Sequence, residues 1–525
     1  MRQTQARLSE GRQDTPGRDG ALPFSPAAVR AVKVAAPATP AMLNQLASET
    51  ADRYASRVIA PAIVSGMLMI AECVVLAAIS IAVIATADAP SADMLWRCLV
   101  ISVGGAVAGV CGIHVFGGYE IGMLSRRAAQ IVPVASGWAA ALAAIGLGLL
   151  VLQPESAVSR AWLSIWYVTG AVALLGARMV LAGPIRRWKR DGVMERRAVI
   201  VGGGQAAEEL IRTIIAQPDG DVRICGIFDD RGDRRSPPLV AGYPKLGNIR
   251  ELVEFARTAR IDMLIVTLPL SAEKRVLEFL KSLWVLPLDI RLAAHAANPQ
   301  FRSRSHSFVG QVPVLDVFNK PIADWNALTK RVFDILIASA AIVALSPVFL
   351  ATAIAVRLDS KGPIFFRQKR HGFNNQVIEV FKFRSMYHEQ ADPAAKRVVT
   401  KGDPRVTRVG RFIRKSSIDE LPQLWNVVRG ELSLVGPRPH AVHAFSSSNE
   451  AFIEIVDDYF GRHKVKPGIT GWAQVNGYRG EIDQADKLRK RFEYDLHYID
   501  NWSILFDVAI LARTPLSLLK TENAY

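Results

Sequence analysis

Four apolar stretches, at 58–86, 95–117, 128–152 and 161–182, govern what this chain can fold into. Each approaches or exceeds the ~20 residues that a helix needs to cross a ~30 Å hydrocarbon core. A buried water-soluble bundle is the alternative, and the loop charges argue against it. Arg126 and Arg127 follow the second stretch, and Arg186, Arg187, Lys189 and Arg190 follow the fourth. The other two loops are short and hold Asp88, Asp93, Arg97, Glu155 and Arg160. Basic loops favour the cytoplasmic side, so a four-helix transmembrane bundle at 51–190 is expected to keep both ends there. The first stretch begins too far along the chain, and runs too long, for a standard signal peptide.

Composition agrees. A net charge of +16 on 525 residues, 50% of them hydrophobic, suits a membrane protein with basic cytoplasmic parts. No zinc-finger spacing or aromatic–basic RNA motif is present, so no nucleic-acid partner is expected. Cys73, Cys98, Cys111 and Cys225 show neither a disulfide framework nor metal-ligand spacing. Residues 1–50 lack a periodic apolar pattern and read as a disordered tail.

From Arg197 short apolar runs alternate with amphipathic ones. "RAVIVGGGQAAEELIRTII" predicts strand, glycine turn and helix; "RICGIFDD", "IDMLIVTLPL" and "PLDIRLAA" predict further buried strands. A Rossmann-like α/β domain with a parallel sheet is expected at 197–315. Gly202, Gly204 and Ala207 fit a G-x-G-x-x-A turn, and Asp229 ends the next strand where a ribose-binding acid would stand. Tight strand-to-helix turns need glycine anyway, so a nucleotide-type regulatory ligand and a purely structural module both remain open. No Tyr is followed by Lys four residues later, so the short-chain dehydrogenase pair is absent.

A further apolar segment, 330–358, is interrupted by Ser346-Pro347 and flanked by Lys330, Arg331, Arg357, Lys361 and Arg367. Proline breaks the helical hydrogen-bond ladder, and basic flanks at both ends favour one side of the membrane. We expect a re-entrant helix–break–helix, with a true span as the alternative. "NWSILFDVAILARTPLSLLK" is interrupted by Asp507, Arg513 and Pro515 and suits an interfacial helix.

The remaining motifs are cationic: "KGPIFFRQKRHG", "VFKFRSM", "SSIDELPQLWNVVRGELSLVGPRP" and "KPGITGWAQVNGYRG". Lys and Arg between glycine and proline turns suit a phosphate-rich substrate, and could equally solvate a surface or meet lipid headgroups. Ser417-x-x-Glu420 has the form of a capping box, with Leu421, Leu424, Trp425 and Val428 on one helical face and Gly430 as terminator. The adjacent Asp419 and Glu420 could also hold Mg²⁺ beside a diphosphate, or supply a nucleophile.

On "SP" at 346–347, "FKFRSM", "SIDELPQLWNV", "SLVGPRP" and "PGITGWAQVNGYRG", residues 325–525 resemble the bacterial sugar transferases. These are monotopic polyprenyl-phosphate hexose-1-phosphate transferases that initiate exopolysaccharide and O-antigen synthesis. The resemblance implies an α-rich catalytic domain, and the whole layout is similar to the large members of the family. It implies that Asp419 attacks the β-phosphate of a UDP-sugar and releases UMP, after which undecaprenyl phosphate takes the sugar phosphate. It further implies Mg²⁺ at Asp419 and Glu420, and phosphate contacts from Lys382, Arg384, Arg414 and Arg438. The re-entrant helix would hold this site among membrane lipids at the cytoplasmic face of the bacterial inner membrane. "GWAQVNGYRG" is similar to the glucose phosphotransferase branch, with UDP-galactose as the alternative donor. A homodimer is left open. From other classes, a membrane-anchored NAD sensor or oxidoreductase and a non-catalytic assembly scaffold compete with this reading.

Overall fold

The computed structural model describes residues 42–55, 58–86, 92–152, 160–217, 221–232, 236–267, 273–293, 307–309, 312–390, 402–440, 459–478 and 485–519. Helices Pro61–Ala85, Ala92–Val115, Ile131–Leu152 and Arg160–Arg190 are long and apolar enough to cross a membrane. Small residues let two of them touch: a Cβ on Gly137 would lie 2.3 Å from the Ile113 nitrogen. Trp138, Trp166 and Leu76 fill the centre, and the Trp166 indole donates to the Leu76 carbonyl at 2.9 Å. Among the described residues a buried ion pair crosses this bundle. Arg178 forks Glu72, Nε–Oε1 at 2.6 Å and Nη2–Oε2 at 3.0 Å, and Tyr119 donates to the same carboxylate. Charges at membrane depth are costly unless paired in this way.

The expected strands form at Arg196–Val201 (β1), Val222–Phe228 (β2), Met263–Val266 (β5) and Asp289–Ala293 (β6). Leu239–Val240 (β3), Tyr243–Gly247 (β4), Ser307–Val309 (β7) and Val312–Phe318 (β8) complete a sheet ordered β3-β4-β2-β1-β5-β6-β8-β7. The sheet is mixed rather than parallel. Its centre, β4 to β6, is parallel, whereas β3, β8 and β7 pair antiparallel at the edges. Two residues separate β3 from β4 and β7 from β8, too few for a parallel crossover.

The tail is also shorter than expected. Gln45–Arg53 is a helix whose Asn44 side chain accepts from the Ala47 amide at 2.9 Å. Ala47 and Ala51 are fully buried against the α/β core, beside Leu252 and Phe255. Two alanines in nine residues make a faint sequence signal, and residues 1–41 lie outside the described part.

Helices Asp324–Ala344 and Ser346–Asp359 meet at a 61° bend. Pro347 sits in the first turn of the second helix, where its missing N–H costs nothing, and the break falls on Leu345. Both limbs root in the same C-terminal domain. Lys330, on the first, donates to Asp507 at 2.7 Å, Asp334 at 3.3 Å and the Val435 carbonyl at 3.2 Å. Val356, on the second, packs with Phe383 and Ile413. Asp507, read from sequence as interrupting an interfacial helix, is thus fully buried in helix Ile504–Leu519, where Tyr498 and Trp502 also donate to it. The bend region carries exposed Leu336, Val343, Leu350, Ile354 and Leu358.

The α/β unit leans on the C-terminal domain through helix Tyr459–Lys464. Lys464 Nζ stands 4.4 Å from the Trp284 ring centroid, and a Cβ on Gly461 would strike that ring.

Candidate active site

A two-stranded hairpin, Phe365–His371 (β9) with Val377–Phe383 (β10), supplies the first cations. The pairs Arg370↔Ile378 and Phe366↔Lys382 put Arg370 and Lys382 on one hairpin face, because side chains alternate along a strand. Helix Gln423–Arg429 is docked on this hairpin by Asn426. Its amide donates to the Glu379 carbonyl at 2.7 Å and accepts from the Phe381 amide at 3.0 Å. Gly430 ends that helix at φ 89°, as expected, and Arg331 donates to the Val427 and Val428 carbonyls at 2.6 Å each. Trp425 does not join the buried face; Leu424, Asn426 and Val427 do.

Asp419 and Glu420 occupy a 3₁₀ turn, Ile418–Glu420, just ahead of this helix. The expected capping box does not form. Ser417 is left-handed, φ 58°, and its side chain does not cap the turn. Glu420 has stronger partners than a backbone amide. Lys382 Nζ lies 2.8 Å from Oε1, and Arg438 forks the carboxylate at 2.6 and 3.1 Å. Arg438 reaches it from Gly436–Pro439, which follows strand Ser433–Val435 (β11) paired in parallel with Gly468–Thr470 (β12). Gly436 is required there, since a Cβ would sit 2.5 Å from the Lys466 carbonyl oxygen.

The two neighbours are electrostatically unlike. Burial raises Asp419 to about 6, with Glu420 adding to the rise and Lys382, Arg414 and Arg438 opposing it. Burial pushes Glu420 upward too, but Arg438 and Lys382 outweigh it and hold the carboxyl well below its usual range. Among the described residues no hydrogen bond engages the Asp419 carboxylate, whereas both Glu420 oxygens are taken. An ionisable, unengaged carboxylate ringed by fixed cations is suited to meet an anion.

Mg²⁺ commonly takes one or two carboxylates and completes its shell with substrate phosphates and water. Asp419 fits that role; Glu420, held by two cations, does not. Among the described residues no group of three or more metal-ligating side chains forms.

The other expected contacts divide. Lys382 and Arg438 meet at the dyad, and Arg414 is close enough to influence Asp419. Arg384 is buried elsewhere, donating to the Ser360 carbonyl at 2.6 Å and the Val356 carbonyl at 3.2 Å, where it fastens the end of the bent helix pair. Arg370 was missed. It donates to Gln368 and the Pro439 carbonyl, and burial beside Arg438 lowers it to about 10. "FFRQKR" offers three cations, and only the strand alternation singles out this one.

In the α/β unit Gly202 and Gly204 adopt φ of 95° and 91°, as the tight turn requires. Asp229, however, accepts from the Gly203 amide at 2.6 Å and is forked by Arg231 at 2.7–3.1 Å. A ribose hydroxyl would have to displace Arg231.

Comparison with known proteins places this arrangement. Residues 325–521 match the bacterial sugar transferase family, and residues 114–294 match the CoA-binding domain. A UDP-glucose:undecaprenyl-phosphate glucose-1-phosphate transferase of Xanthomonas campestris pv. campestris is 34% identical over 75% of this chain and 81% of its own. The chain belongs to the bacterial sugar transferase family. A like-named protein of Escherichia coli K12 is 36% identical to this sugar transferase over 70% of this chain and 76% of its own. An Aeromonas hydrophila UDP-N-acetylgalactosamine-undecaprenyl-phosphate N-acetylgalactosaminephosphotransferase is 44% identical, but over only 37% of this chain and 44% of its own. The dyad and its cations lie within the matched sugar transferase region.

Proposed function

We propose that this protein transfers glucose-1-phosphate from UDP-glucose to undecaprenyl phosphate, at the cytoplasmic face of the bacterial inner membrane. The observation that carries the reading is the dyad itself: Glu420 fully engaged by Lys382 and Arg438, Asp419 unengaged beside it. An Asp419 oxygen attacks the β-phosphorus, the bond from that phosphorus to the bridging oxygen breaks, and UMP leaves with the bridging oxygen. A phosphate oxygen of the lipid then attacks the same phosphorus, and the Asp419 carboxylate is released. Lys382, Arg438 and Arg370 hold the phosphate oxygens and stabilise the charge that builds on them. Mg²⁺, held by Asp419 with the substrate phosphates, would supply Lewis-acid charge neutralisation.

Glucose is favoured by the relatives matched over most of their length; the transferase region alone also resembles an N-acetylgalactosamine enzyme. The bent helix pair is read as re-entrant because both limbs are rooted in one domain. Beyond Ala338, the last fully buried residue of the first limb, only 339–344 remain, about 9 Å at 1.5 Å per residue, less than one leaflet.

The test incubates purified protein with UDP-glucose, UDP-galactose or UDP-N-acetylgalactosamine, Mg²⁺ and undecaprenyl phosphate, scoring UMP and lipid product. UDP-glucose should be preferred, and Asp419→Asn should abolish turnover. Undiminished turnover by Asp419→Asn would remove the nucleophile assignment.

A further inference from the structure

Behind Arg438 the structure holds a second group of arginines that the dyad chemistry does not use. Arg462 is 1% exposed and Arg491 is 3% exposed. Arg462 donates to the Arg438 carbonyl at 2.8 Å and to the Tyr459 hydroxyl at 2.8 Å, and lies 2.7 Å from Asp495. The charges of Asp495, Arg438 and Arg370 also act on Arg491. Its Nε and Nη2 are buried and make no hydrogen bond among the described residues.

Those two nitrogens form the side-on edge of the guanidinium. Elsewhere in this protein the same edge grips a carboxylate: Arg178 on Glu72 and Arg231 on Asp229. A buried charged donor without an acceptor is costly, and a guanidinium edge matches two oxygens of a phosphate as well as it does a carboxylate. The charges point the same way. Among the described residues, the carboxylates that act on Arg370, Lys382, Arg438, Arg462 and Arg491 are Asp419, Glu420 and Asp495, three against five cations. His440 adds no positive charge, because burial and these arginines hold it well below its usual range.

We propose that Arg491 is an inner phosphate site that takes the phosphate of a nucleoside monophosphate, the group that leaves in the first displacement. This rests on the function proposed above and adds the place where the second phosphate of the donor sits. The side of approach favours the nucleotide over the lipid. Phe492 and Leu496, on the helix that carries Arg491, pack against the α/β core, whereas the bent helix pair that meets the membrane is rooted at Lys330 and Val356. Phe492, next to Arg491 on the same helix, stacks on Tyr459, whose ring lies beneath the Arg462 guanidinium.

The experiment uses the full chain in lipid nanodiscs and compares wild type, Arg491→Gln and Arg491→Lys. Binding of UMP, UDP-glucose and uridine is measured at equilibrium. Single-turnover transfer to undecaprenyl phosphate is measured separately from a preformed sugar-phosphoryl enzyme. Arg491→Gln should weaken UMP at least tenfold and leave uridine unchanged, with Arg491→Lys recovering part of the loss and the lipid step unaffected. Equal losses for UMP and uridine, or an unchanged UMP affinity with a lowered melting temperature, would make Arg491 a structural residue and overturn the site. A loss confined to the lipid step would assign the phosphate to the acceptor and overturn it as well. Wild type that bound neither UMP nor UDP-glucose would instead remove the proposed function, and the inner site with it.

Discussion

Arg438 and Glu420 form an end-on fork, Nη2–Oε1 at 2.6 Å and Nη1–Oε2 at 3.1 Å. Because Lys382 shares Oε1, this carboxylate acts as a post on which two cations are aligned beside Asp419. Glu420→Gln should therefore misplace both cations and lower kcat by about 100-fold, the scale seen when one stabilising donor is lost. It should also destabilise the domain by about 2 kcal/mol, less than the ~3–5 kcal/mol of a fully buried pair, since the Arg438 side chain is 22% exposed. Steady-state kinetics and thermal unfolding check the two effects separately.

In the proposed mechanism Asp419 attacks in its ionised form, so kcat/KM should rise with pH through an apparent pKa of about 6 in the free enzyme. Arg414 lowers that value, so Arg414→Gln should move the profile to higher pH. A profile that stayed in place would show Arg414 to be electrostatically silent. The stability linkage has the opposite sense: a carboxyl raised by folding stabilises below about 3.8 and loses that contribution as pH rises through about 6.

Lys330→Met should leave Asp334 and Asp507 buried without their cation. A loss of about 3–5 kcal/mol is expected, read as a lowered melting temperature in detergent. An unchanged melting temperature would mean that this network contributes nothing to the fold.

The bent helix pair gives a topological outcome. Cysteines placed at exposed Asn326 and Lys361, in a background without native cysteines, should both react with an impermeant thiol reagent from the cytoplasmic side. Labelling from opposite sides would establish a true span.

Arg231→Ala should release Asp229 and weaken the α/β unit by about 1–2 kcal/mol, while leaving transferase activity near wild type. A strong loss of activity would reveal a role for this turn beyond bracing the sheet.

Elements defined by their own residues were legible from the chain alone. Four apolar lengths, the central strands with their glycine turn, and Pro347 at the bend each carry a local signal, and so does the dyad's ordered motif. Features that depend on distant partners were not. Ser417 and Glu420 have capping-box spacing, yet two cations, one of them from strand β10, outbid the backbone amide. Arg384 sits two residues from Lys382 in one motif, but one turns to the helix end and the other to the dyad. Asp229 ends its strand as expected and is claimed by Arg231 two residues later. Arg462, Arg491 and Asp495 lie amid ordinary helical polar residues, and only the tertiary fold turns them inward.

The Lys330–Asp507 contact joins residues separated by 177 positions in the chain. On the ribosome, the limb carrying Lys330 emerges long before its partner. Until helix Ile504–Leu519 has been made, Lys330 has only Asp334 and the Val435 region to draw on, and a vectorially growing domain is left with an unfinished floor. Maturation of the catalytic apparatus is thereby tied to late synthesis, so a stalled or prematurely terminated chain would reach the membrane without assembling a competent site.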